Sequence, residues 1–159
     1  MTYLFIKWLH LLGAAVLLGT GIGIAFFAWF GYRMALRDNN LGLLRGVLVL
    51  TVRADTVFTA VAALVQPVTG LVLWRMAGGH WSSPWLAWVL GAYVFVGACW
   101  LPVVVLQIRL RDAALAAPSI NDLDERFHAR FRLWFVLGCP AFVVMLALFA
   151  LMLARGYLA

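Results

Sequence analysis

Charge is what this sequence has least of. Charged residues fill 11% of its 159 positions, and only six of them are acidic, whereas an ordinary soluble domain is about one-quarter charged. Hydrophobic residues make up 66% of the chain and the mean hydropathy is +1.01. A chain this short could not hide so much apolar surface from water by folding on itself, so the solvent it is built for is lipid. Cysteine is scarce too. Cys99 and Cys139 both sit inside apolar runs, where they are too few for a disulfide framework, say nothing of the redox compartment, and are expected to be inert small hydrophobes. No phosphate loop, dinucleotide fingerprint, paired-cysteine motif or nucleophile elbow occurs. The repeated intramembrane acids of a proton-coupled transporter are also missing. The length allows one domain.

What is present is apolar length. A bilayer core of ~30 Å is crossed by about 20 apolar residues in a helix, and the runs at about 4–31, 54–74, 85–108 and 132–154 satisfy this. Lipid offers the backbone no hydrogen-bond partner, so these runs are helices. The expected fold class is all-α, an integral membrane four-helix bundle in a single domain. Residues 41–53 are left open between an interfacial helix and an inward extension of the second span. The first run is too long for a signal-peptide core and lacks a small-residue cleavage pattern, so it is expected to stay in the mature protein.

The cations orient the bundle. Arg33, Arg37, Arg45 and Arg53 follow the first span, and Arg109, Arg111, Arg126, Arg130 and Arg132 lie between the third and fourth. The other connection has Arg75 and the two chain ends have Lys7 and Arg155. The positive-inside rule therefore places both termini and the His80 loop outside a bacterial inner membrane, in the periplasm. The net charge of +6 then reads as topology and contact with anionic lipid, and nucleic acid is excluded as a partner.

Polar groups within a membrane are costly and mark candidate sites. His10 lies about six residues, or ~9 Å, from the outer end of the first span. Gln66 and Thr69 in the second span lie at similar depth, and Tyr93 and Met145 complete a plausible layer. A neutral imidazole is a ready metal ligand, including for haem iron. In that reading His10 is the metal ligand, Gln66 orients its other ring nitrogen, and Met145 or His80 supplies a second axial ligand. The competing reading is that His10 only hydrogen-bonds a neighbouring helix. Gly13, Gly19, Gly21 and Gly23 permit close approach of a helix or a flat ligand. Arg53 and Asp55 are expected as an interfacial anchor or an ion pair with Arg132 or Arg109, and His128 as an exposed residue.

The order of residues resembles a known family. Lys7-Trp8-Leu9-His10-Leu11-Leu12-Gly13, Gln66-Pro67-Val68-Thr69-Gly70-Leu71, Ala98-Cys99-Trp100-Leu101-Pro102, Gln107-Ile108-Arg109-Leu110-Arg111-Asp112 and Phe131-Arg132-Leu133-Trp134-Phe135 are similar to the bacterial predicted integral membrane proteins numbered 2269 among the domains of unknown function. That resemblance implies four membrane helices and no assigned activity. The opening Tyr3-Leu4-Phe5-Ile6-Lys7-Trp8-Leu9-His10 also resembles, more distantly, HemJ-type protoporphyrinogen oxidases and CopD-type copper-resistance proteins. In the HemJ type a histidine at the place of His10 is associated with haem b. The Trp-Leu-His-Ala-Lys-Leu pattern of that type is replaced here by Trp85-Leu86-Ala87-Trp88-Val89-Leu90, which argues against the oxidase chemistry.

Three functional expectations follow. The first is a redox-linked protein holding haem b through His10. The second is a non-enzymatic accessory or assembly subunit docking a membrane protein partner or a second copy. The third is a small copper-handling or transport protein using His10, Met145 and Met152.

Overall fold

The computed structural model describes residues 1–158, with side chains to Ala154. Four long helices account for nearly all of it: α1 (Thr2–Arg37), α2 (Leu41–Met76), α3 (Pro84–Ala116) and α4 (Glu125–Leu158). The described residues contain no strand. Each helix contains a stretch long and apolar enough to cross a membrane, and the chain is an all-α integral membrane protein. At ~1.5 Å per residue the helices run to about 50 Å, well beyond a ~30 Å hydrocarbon core. The surplus turns carry most of the arginines, nine of which lie around the α1–α2 and α3–α4 connections.

Residues 41–53 are continuous with the second span in α2 and extend it toward the arginine-rich end. The helix stays continuous through a π-helical turn at Asp55–Ala60. On the arginine-rich side of this turn α2 buries Leu44, Leu48, Thr51 and Val52. Beyond it the buried residues are Ala62, Gln66, Thr69 and Trp74.

Packing differs along the bundle because the solvent does. The contiguous core gathers at the arginine-rich end, from Ala35, Leu44, Leu48, Leu110, Phe127, Phe131 and Trp134 among others. That end carries the arginines and the polar connections, where burial of apolar surface away from water drives packing. Nearer the termini few side chains are buried, and Phe5, Leu64, Trp88 and Leu153 point outward. Lipid tails are as apolar as leucine, so nothing forces those side chains inward.

The helix ends are closed by local chemistry. After α1, Asn39 takes a left-handed conformation (φ 48°), Asn40 N–H reaches back to Ala35 O (2.9 Å), and Asn40 Oδ1 then accepts from Leu43 N–H (2.9 Å) to start α2. One asparagine pair thus ends one helix and begins the next. After α2, Gly78 (φ 74°) has the same left-handed role. The guanidinium of Arg45 donates to Ala114 O (2.9 Å) and Ala117 O (2.7 Å), closing the C-terminus of α3 with a cation where the helix dipole favours one. His128 is half-buried and hydrogen-bonded to Tyr32 Oη (2.6 Å), which corrects the expectation of an exposed residue.

Candidate functional site

His10 is held between α1 and α2. Its Nδ1 lies 2.8 Å from Thr69 Oγ1. The Thr69 hydroxyl donates to its own helix, at Val65 O (2.9 Å) and Gln66 O (3.2 Å). With that proton given to Val65 O or Gln66 O, Thr69 Oγ1 accepts from Nδ1–H; with it given to the ring, Nδ1 is the acceptor, so the contact fits either tautomer of His10. In the Nδ1–H tautomer, Nε2 is the nitrogen with the free lone pair. This is the second-sphere arrangement that fixes a ligating histidine elsewhere in protein chemistry.

Two glycines make room for it. A Cβ on Gly70 would sit 3.1 Å from His10 Cε1, so the imidazole lies directly on the backbone of α2. One turn further along, a Cβ on Gly13 would sit 3.3 Å from Gln66 Oε1. Gln66 is buried with Oε1 lacking a hydrogen-bond donor. The carboxamide thus faces the α1 backbone, and the residue that orients the ring is Thr69.

Tyr93 enters the same region from α3 for a reason set by Pro67. Proline has no N–H, so the carbonyl four residues earlier, Ala63 O, loses its helical donor. The Tyr93 hydroxyl donates to that carbonyl. The remaining candidates lie elsewhere. Met145 Cε is 3.7 Å from the Cβ position of Gly21, eleven residues from His10 and so about 16 Å away along α1. His80 is exposed in the α2–α3 connection. The structure therefore unites His10, Thr69, Gln66 and, one turn away, Tyr93; it does not bring Met145 to them.

A second polar centre was not legible in the sequence. Asp55, in the π-helical turn, is 6% exposed. Its Oδ2 accepts from Gln107 Nε2 (2.7 Å) and its Oδ1 from Trp100 Nε1 (3.2 Å), while Gln107 Oε1 accepts from Trp134 Nε1 (3.3 Å). No ion pair joins Asp55 to Arg132 or Arg109; the described ion pairs are Arg37–Asp38 and Arg111–Asp112. The expected interfacial pair is thus a buried carboxylate served by neutral donors. Its two partners come from α3, 45 and 52 residues away in sequence, and Trp134 of α4 joins through Gln107; the only signal was that Asp55, Trp100, Gln107 and Trp134 are polar or amphipathic groups within apolar runs.

The family model described as "Predicted integral membrane protein (DUF2269)" matches residues 4–156. The chain belongs to this family. No curated protein and no solved structure matches it. Within this DUF2269 member, both polar centres fall inside the matched region, and the function of either must be argued from its chemistry.

Proposed function

We propose that this membrane protein holds haem b in a redox-linked role, with His10 Nε2 as axial ligand. The observation that carries the reading is the Thr69–His10 hydrogen bond at Nδ1, which supports the tautomer in which Nε2 is the ligating nitrogen. The scarcity of other ligands favours haem over a bare ion. No three His, Cys, Asp or Glu side chains come together among the described residues. A bare copper or zinc site draws about three or four donors from the protein, whereas a porphyrin supplies its own four nitrogens and needs as few as one imidazole. Copper handling has less support, because Met145 lies beside Gly21.

Protein purified from a haem-replete host should show a Soret band that His10→Ala abolishes and Thr69→Val weakens. Colourless protein, or a band indifferent to His10→Ala, would remove the reading. A second reading, an accessory subunit, is favoured by Gly19 and Gly23, whose Cβ positions meet nothing within 4 Å. It predicts a stable co-purifying membrane protein and tolerance of His10→Ala.

A further inference from the structure

Away from His10, a groove between α1 and α4 at the arginine-rich end has an aromatic floor. Tyr32 stacks on Phe131 with ring centroids 3.9 Å apart, and Trp29 packs on Phe135 at 4.6 Å. The Tyr32–His128 hydrogen bond joins the same two helices. These contacts fix the facing sides: Trp29 and Tyr32 on α1, His128 and Phe135 on α4. Arg33 follows Trp29 by four residues, and Arg132 follows His128 by four. Each is therefore one turn on and about 40° further round its helix. Because α1 and α4 are antiparallel, these rotations carry both arginines to the same outer rim of the groove.

Both arginines are exposed and neither forms an ion pair among the described residues. Arg132 directly follows Phe131, whose ring stacks on Tyr32. Three other cations of this end are engaged, Arg37 with Asp38, Arg111 with Asp112, and Arg45 with the end of α3, while Arg126 and Arg130 lie more than about 100° round α4 from Arg132. The acid on the same stripe of α4 is Glu125, seven residues toward the tip and about 10 Å from Arg132 along the axis. In the other direction the groove runs on between exposed apolar side chains, Phe26 and Phe30 on α1 and Val136 and Val143 on α4.

We propose that this groove binds one anionic phospholipid, its phosphate between Arg33 and Arg132 and an acyl chain along the apolar walls. Guanidinium groups suit phosphate oxygens, and long arginine stems reach the headgroup layer from a helix at the bilayer edge. The two halves of the groove argue for a lipid over free phosphate: an ion would satisfy the arginines and leave the apolar length above them unused. The inference is independent of any ligand at His10.

Native mass spectrometry of the full-length protein, titrated in detergent with phosphatidylglycerol or phosphatidylcholine, tests it. The wild type should retain phosphatidylglycerol preferentially. R33Q/R132Q should weaken that retention on the order of tenfold or more, while R126Q/R130Q, which removes equal charge from another part of α4, should leave it nearly unchanged. Equal losses in the two double variants would reduce the effect to diffuse charge and overturn the proposal. So would equal retention of both lipids by the wild type, a measurement that stands even if a variant fails to fold. Displacement of the bound lipid by inorganic phosphate at tens of millimolar would assign the arginines to free anion and overturn the lipid assignment.

Discussion

Pro67 and Tyr93 show how one missing hydrogen is made good from another helix. In lipid no water can reach Ala63 O once proline has removed its donor, and the Tyr93 hydroxyl fills the vacancy. Tyr93→Phe should therefore cost about 1–3 kcal/mol, the penalty of an unsatisfied buried group. In a Pro67→Ala background the helical N–H returns to Ala63 O, and the same substitution should cost little. Thermal midpoints of the four proteins close the cycle; an equal cost in both backgrounds would mean that Tyr93 acts through packing alone. Asp55 allows a similar argument. Asparagine offers one acceptor oxygen where aspartate offers two, so one of Trp100 and Gln107 would face an amide N–H. Both Asp55→Asn and Asp55→Ala should lower the melting midpoint, with the alanine variant lower, since it strands both donors. His10 could be singled out in the sequence because a histidine in an apolar run stands out by itself. Its partner Thr69 was placed by depth alone. The donor for Ala63 O was hidden, since a proline reveals which carbonyl is orphaned but never which side chain will serve it.

At the scale of elements, the stretch 41–53 shows where sequence reading runs out. Its apolar residues alternate with Arg45 and Arg53, a pattern that fits a helix lying on the membrane as well as one standing out of it. What decides is burial: Leu44 and Leu48 enter the shared core, and Arg45 swings across to the carbonyls that end α3. That arginine joins the two halves of the bundle through the least satisfied groups of a helix. Arg45→Ala should free those carbonyls and fray the last turn of α3, at a cost of about 0.5–2 kcal/mol. Hydrogen exchange would report it as faster exchange over residues 113–117, with the rest of α3 unchanged. Arg45→Lys, keeping the charge but losing the fork, should fall between. Protection equal to wild type in the alanine variant would show that the cap contributes nothing in solution.

For the whole molecule, the four spans were readable because lipid demands an unmistakable length of apolar residues, while the position of the core was not. Within a span every face is apolar, so periodicity cannot say which side chains meet one another. The core instead collects toward the end rich in arginine. The same asymmetry predicts orientation. Nine of the twelve Lys and Arg residues lie between Arg33 and Arg132, outside the α2–α3 connection, and such a bias retains that end in the cytoplasm. With Cys99 and Cys139 replaced by alanine, His80→Cys in the exposed α2–α3 connection should react with a membrane-impermeant maleimide in intact spheroplasts. Asn121→Cys, exposed between α3 and α4, should react only after the membrane is opened. The opposite pattern would invert the molecule and put His10 at the cytoplasmic side. Labelling of both sites in intact spheroplasts would mean mixed insertion, with the arginine bias too weak to choose a side.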